Sequence, residues 1–172
     1  MSRTISRRQI SMLISTVIAL IALLTGGREI TRRLPQADVN TPVDESHALV
    51  FKVVDGDTFE LENGQKVRLI GIDTPESVDP RKPVQYFGKE ASQYAKELIE
   101  KRYVTLTKDV SETDKYHRLL RYVYLGDGTF VNEKLLRDGY AHVLTFPPDT
   151  KFNDLFLEAE RDARDHKRGL WQ

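Results

Sequence analysis

Hydrophobic and polar positions change rhythm several times along the 172-residue chain. From Ile10 to Leu24 the run is apolar, interrupted only by Ser11, Ser15 and Thr16, and it leaves no polar face at helical spacing. With Thr25, Gly26 and Gly27 it approaches the roughly 18 to 20 residues that cross a bilayer. Arg3, Arg7 and Arg8 precede it, which an export apparatus reads as a positive-inside flank followed by a hydrophobic core. No clear A-x-A cleavage site follows. Residues 1–27 are therefore expected to form an uncleaved signal anchor in the cell membrane, with the rest of the chain outside; the alternative is a signal peptide, cleaved to secrete the protein. Residues 28–46 turn polar, with Pro35, Pro42, mixed charge and no hydrophobic period, as expected of a flexible linker reaching about 25 Å.

Residues 47–172 read as one domain. Ala48 to Val54 is rich in β-branched residues and ends at Asp55-Gly56; Thr58 to Leu61 follows. Asn63-Gly64 signals a tight hairpin before Lys66 to Ile70, so the first three strands form a meander. Phe87, Ala91, Tyr94, Ala95, Leu98 and Ile99 recur at helical spacing between Phe87 and Glu100. Val104 to Lys108 and Leu119 to Leu125 read as two further strands. Val131 to Asp138 predicts a short helix with Gly139 as a left-handed cap. Phe152, Leu155, Phe156, Ala159 and Ala163 stripe a last helix ending before Gly169, with Trp171 expected to pack back on the core. Strands mostly precede helices, which predicts an α+β fold, and five short strands can close into a small barrel. No long apolar stripe is left over for a large interface, so a monomer is expected.

Composition narrows the chemistry. The chain has no cysteine, which excludes disulfides and thiolate metal sites. The first 46 residues hold 6 of 26 basic and 4 of 26 acidic groups, leaving the remainder slightly acidic at 20 against 22. That balance excludes coating nucleic acid by bulk positive charge, so a nucleic-acid enzyme here needs a local cationic clamp. His47, His117, His142 and His166 fit no short zinc-ligand spacing.

Three segments carry candidate chemistry. Asp55-Gly56-Asp57-Thr58 lies at a strand junction where carboxylates can converge, although alone it is ordinary turn chemistry. Arg68 to Glu76 puts an arginine on a strand and Asp73 and Glu76 just beyond its end. Period two sends Arg68 to the face opposite Val67 and Leu69, and Pro75 stiffens the loop that carries the two acids. Asp114 to Arg118 adds a second arginine beside Lys115 and Tyr116. Together, three carboxylates and two arginines are what metal-assisted hydrolysis of a phosphodiester requires. Two aspartates, a backbone carbonyl and waters suit calcium, a third carboxylate can orient or deprotonate the attacking water, and guanidinium forks match phosphate oxygens.

These segments resemble the staphylococcal nuclease (thermonuclease) family: V-D-G-D-T at Val54 to Thr58, R-L-I-G-I-D-T-P-E at Arg68 to Glu76, Y-F-G-K-E-A at Tyr86 to Ala91, D-K-Y-x-R at Asp114 to Arg118, and V-N-E-x-L-L at Val131 to Leu136. The likeness covers roughly His47 to Trp171 in the family's motif order. It implies a five-stranded OB-fold barrel with three helices and calcium-dependent cleavage of DNA and RNA to 3′-phosphate ends. By the same resemblance, Asp57, Asp73 and the Thr74 carbonyl would hold Ca2+, Glu76 would act on the water, and Arg68 and Arg118 would clamp the phosphate. Lys115 and Tyr116 match positions that contact the terminal phosphate and nucleotide. Two positions depart from the family's best-known nuclease. His117 stands where that nuclease has glycine, which predicts a different backbone path or an added titrating group. Val143 to Pro148 lacks its base-stacking tyrosines, which shifts stacking to Phe146 or weakens it. The competing reading is a non-catalytic OB-fold module that binds nucleic acid or protein; a third is a membrane-associated structural protein whose N-terminal helix is the working part.

Overall fold

The computed structural model describes residues 46–77, 83 and 85–172. The expected anchor at 1–27 and all of the expected linker but Ser46 lie outside the described residues. Among the described residues, no helix is long and apolar enough to cross a membrane.

Five strands close a barrel in the order β1-β2-β3-β6-β5: β1 (Ser46–Asp55), β2 (Thr58–Leu61), β3 (Lys66–Leu69), β5 (Tyr103–Thr107) and β6 (Leu119–Leu125). Neighbours are antiparallel except β3 and β6, which run parallel with Val67 opposite Leu119 and Arg68 opposite Leu120. Strand β1 serves both sides of the barrel because its register shifts twice, between Val50 and Lys52 and between Val53 and Asp55. Such bulges bend a strand and tighten its twist, which a small barrel needs to close. Val50, Val53, Phe59, Leu61, Val67, Leu69, Val104, Leu106 and Val123 fill the interior.

Three helices cover the barrel, α1 (Gly88–Ile99), α2 (Val131–Arg137) and α3 (Asn153–Asp165). Each buries the stripe its sequence predicts: Ala91, Ala95 and Ile99 from α1, Val131, Leu135 and Leu136 from α2, Phe156, Ala159 and Ala163 from α3. Gly139 has φ +80°, as expected of a left-handed cap. Trp171 is half-buried. Its ring lies under the Arg164 guanidinium at 4.1 Å and edge-on to His142 at 4.9 Å, at the surface of the core rather than in it.

Two short strands escape the sequence pattern. β4 (Ile72–Asp73) pairs antiparallel with β7 (His142–Val143), Ile72 opposite Val143 and Asp73 opposite His142. The chain reaches β4 from β3 through Gly71, whose φ is +80° and where a Cβ would stand 2.4 Å from Phe156 Cε2. Only glycine fits there, because both the backbone conformation and the space exclude a side chain. Beside this corner Asn132, fully buried, donates to the Ile70 carbonyl at 2.9 Å and accepts from Val123 N at 3.0 Å. The corner that carries the chain from Arg68 to Asp73 is thus fixed from the core side.

Candidate active site

The end of β1, the start of β2, the outward face of β3 and the segment after β4 meet at one end of the barrel. Period two puts Val67 and Leu69 inside and Arg68 outside, as the sequence predicts, and Arg68 faces Thr58 across the β2–β3 ladder. Asp57 precedes Thr58, so Asp57 and Arg68 converge: Arg68 Nη1 lies 2.6 Å from Asp57 Oδ2 and Nη2 lies 2.8 Å from Asp73 Oδ1. One guanidinium therefore spans both aspartates. Thr74 is buried, and its backbone N–H and hydroxyl both donate to Asp57 Oδ2, at 2.9 and 3.1 Å. The Thr58 hydroxyl donates to Asp57 Oδ1 at 2.9 Å.

Arg118 enters from the loop between β5 and β6. Its Nη1 donates to Thr58 Oγ1 at 3.3 Å, and Asp114 holds the guanidinium from behind, with Oδ2 2.7 Å from Nε and 2.6 Å from Nη2. The same carboxylate takes the backbone N–H groups of Tyr116 and Arg118 on Oδ1, at 2.9 and 3.0 Å. Burial pushes the Asp114 carboxyl up, but these bonds from Arg118 and Tyr116 outweigh it and hold the group below its ordinary value. His117 keeps a left-handed backbone at φ +62°. His117 thus takes a backbone conformation that glycine adopts without strain.

A cleft of about 340 Å³ is lined by Asp55, Asp57, Thr58, Arg68, Asp73, Thr74, Glu76, Gln85 and Arg118. All five ionisable groups singled out as catalytic or metal-binding, Asp57, Arg68, Asp73, Glu76 and Arg118, therefore share one hollow. An adjoining groove of about 450 Å³ shares Arg68 and Arg118 with it and adds Lys115, Tyr116 and Phe146, the three residues expected to contact substrate. Tyr116 and Phe146 are about two-thirds exposed, and Lys115 Nζ lies 5.1 Å from the Tyr116 ring centre. Buried Asp149 binds the groove's walls together: its Oδ1 accepts from Val110 N at 3.0 Å and Ser111 N at 2.8 Å, three residues after Phe146.

The cleft is acidic in balance. Four carboxylates face two guanidiniums, and two of the acids are raised above the ordinary carboxylate value. Burial raises Asp55 to about 6; the Asp57 charge and a hydrogen bond with Glu76 add to the rise, while bonds from the Ser77 hydroxyl and Gly56 N–H oppose it. Burial also raises Asp73, helped by Asp57 and opposed by Arg68 and His142. Arg68 Nη1, although beside Asp57, is buried without a well-directed hydrogen bond. A hard divalent cation suits this surplus of oxygen charge. Among the described residues no three acids or imidazoles gather closely enough to cage a metal by themselves. Asp57 and Asp73 would be acid ligands of such a cation, with carbonyl and water oxygens needed for the rest of its shell.

Sequence reasoning assigned no role to Asp55, Asp114, Asn132, Asp149 or Gln85. Asp114 lay in plain view, four residues before Arg118, but its hold on the guanidinium depends on a turn that spacing does not reveal.

Comparison with known proteins gives one consistent picture. Residues 66–172 match the family model described as "Staphylococcal nuclease homologue". The chain is 41% identical over 136 residues to a thermonuclease of Staphylococcus intermedius, covering 77% of this chain and 80% of that protein. It is 40% identical over 125 residues to a thermonuclease of Staphylococcus hyicus, covering 71% and 73%. Endonuclease YncB of Bacillus subtilis is 41% identical over 125 residues, 70% of this chain and 59% of its own.

Proposed function

The chain belongs to the staphylococcal nuclease family, and from that premise we propose that it is a nuclease that hydrolyses phosphodiester bonds of DNA and RNA with calcium, leaving 3′-phosphate ends. The observation that carries this reading is the shared cleft of Asp57, Arg68, Asp73, Glu76 and Arg118.

Asp57, Asp73 and the Thr74 carbonyl would hold the ion, which when bound supplies positive charge to a phosphate oxygen. Arg68 and Arg118 present guanidinium forks to the remaining oxygens of the phosphate, where charge builds as a fifth oxygen approaches phosphorus. Asp114 keeps the second fork aimed, and Thr58 Oγ1 limits its swing. Glu76 takes the proton of the attacking water as the new oxygen–phosphorus bond forms. The bond from phosphorus to the 5′-oxygen breaks, and the phosphate stays on the 3′ side. Lys115, Tyr116 and Phe146 hold the nucleotide beyond that bond by charge and ring stacking. The groove offers stacking surfaces and cations rather than a set of base-edge donors and acceptors, which suits single-stranded or frayed substrate of mixed sequence.

We also propose that residues 1–27 tether the protein to the cell membrane with the nuclease domain outside and that the domain acts as a monomer; the Arg3, Arg7 and Arg8 flank before the apolar run supports the tether. Alkaline carbonate extraction of membranes should leave the protein in the pellet; release into the soluble fraction would count against the tether.

The functional test is cleavage of end-labelled single-stranded DNA by the full-length chain in mild detergent, with calcium, with magnesium and with chelator. Calcium-dependent cleavage to 3′-phosphate ends is expected. Tight binding without cleavage in calcium would instead favour the non-catalytic module.

A further inference from the structure

The groove at Lys115, Tyr116 and Phe146 joins the cleft through Arg68 and Arg118, yet it includes neither Glu76 nor Gln85, which line the cleft elsewhere. That Glu76 rim has a structure of its own. Gln85 is bonded to Glu76 twice, Gln85 N donating to the Glu76 carbonyl and Glu76 N donating to Gln85 Oε1, both at 2.9 Å. Gly88 N closes a four-residue turn on the Gln85 carbonyl at 3.1 Å. Gly88 also lies so near the Glu76 carbonyl that a Cβ would stand 2.7 Å from it. The turn from 85 to 88 thus rides on the backbone of Glu76, and its first residue, Gln85, lines the cleft.

Two aromatic residues occupy the centre of that turn. Phe87 has φ +64°, a left-handed conformation that a bulky side chain rarely adopts. Its ring is nonetheless well placed: it lies 5.4 Å from Tyr140, which stacks on Tyr94 at 4.1 Å and 4°. Tyr94 is fixed in turn by Asp138, which its hydroxyl meets, and Asp138 pairs with Lys134 at 2.8 Å. Tyr86 stands at the outer end of this row, 5.8 Å from Phe87 and 72% exposed. A file of four rings therefore ends in an exposed aromatic residue next in sequence to Gln85, which lines the cleft. Beyond it Lys89 is exposed and has no ion pair among the described residues.

We infer that Tyr86 is a stacking platform for a base of single-stranded nucleic acid on the Glu76 side of the scissile phosphate, opposite the nucleotide held by Lys115, Tyr116 and Phe146. The inference rests on the nuclease reading and adds a second binding position to it. Continuity with the cleft fixes the occupant: a strand threaded past Glu76 leaves over this rim, and every base has a face that a tyrosine ring can meet. Lys89 supplies positive charge for the backbone of the same strand.

The test uses the full-length chain in mild detergent with Glu76→Gln, so that DNA is bound but not consumed. Affinity in calcium is measured for labelled octathymidylate, which spans both sides, and for thymidine 3′,5′-bisphosphate, which fills one. Adding Tyr86→Ala should weaken the octamer by about fivefold to a hundredfold, the range of one base–aromatic stack. The loss for the bisphosphate should be at least fivefold smaller, and Tyr86→Phe should restore the octamer to within twofold. Equal losses for both ligands would mark a merely structural role and overturn the inference, as would unchanged octamer affinity. If the Glu76→Gln protein binds neither ligand and the parent cuts no DNA, the nuclease reading itself falls.

Discussion

Asp114 is where a residue outside the catalytic set should control the rate. Its Oδ2 meets two nitrogens of Arg118, at 2.7 and 2.6 Å, while Oδ1 closes the turn through Tyr116 N and Arg118 N. Asp114→Ala removes both functions. Asp114→Asn keeps an acceptor for the turn but loses the charged partner of the fork. A hydrogen bond to a charged group contributes about 1.5 to 3 kcal/mol net, and partial exposure of this pair, 27% and 17%, argues for the lower end. Freed by that much, Arg118 samples positions away from the phosphate, and a misplacement near 1 Å can cost about a hundredfold in rate. The expected result is a fall in kcat of about ten- to a hundredfold for Asp114→Ala, with KM changed less than kcat, and an intermediate fall for Asp114→Asn. The assay is initial-rate cleavage of single-stranded DNA in calcium, with thermal melting to show that each variant is folded. The pH dependence of stability gives a second readout. The Asp114 carboxyl is held below its ordinary value, so its stabilisation is complete above about pH 4 and is lost as pH falls through the lower folded value. The stability gap between parent and Asp114→Ala should therefore narrow in acid. A folded Asp114→Ala protein with kcat within twofold of the parent would refute the argument that Asp114 aims Arg118.

Gly71→Ala should destabilise the domain by about 2 to 4 kcal/mol in denaturant unfolding, since it combines a left-handed alanine with a Cβ inside the Phe156 ring; a change below 1 kcal/mol would show that the corner can shift. Asn132→Ala should cost about 2 to 5 kcal/mol, because it strands the Ile70 carbonyl and Val123 N–H in the core, and a near-neutral result would contradict that pairing. His117→Gly should be stabilising by up to about 1 kcal/mol, the relief of left-handed strain exceeding the entropy that glycine adds to the unfolded chain; a loss of stability would mean the imidazole makes a compensating contact.

The barrel was readable because its five main strands are long enough to show period two or a bounded apolar run, and α1 and α3 because their stripes repeat over three turns. Strands β4 and β7 were not readable, since two residues have no period. They are nevertheless what sets Asp73 opposite His142 and so within reach of Arg68. Arg68 could be placed on the outer face from its neighbours Val67 and Leu69 alone, whereas its bridging of two aspartates needed coordinates. The acids at 57, 73 and 76 were legible as types and spacings; the burial that raises Asp55 was not, because it depends on how the folded chain packs around that carboxylate. The rings at Tyr86 and Phe87 read as the approach to a helix, and the hydrogen bonds that tie their turn to Glu76 have no signature in sequence spacing.

A double-mutant cycle on the rate of calcium-dependent cleavage, with Glu76→Gln, Arg118→Ala and the pair, tests most directly whether these groups work as one site. Residues that act on the same phosphate are strongly non-additive, so the pair should be slower than the worse single variant by less than about tenfold. Losses that multiply in full would mean that Glu76 and Arg118 act independently, and the single-cleft account would fail.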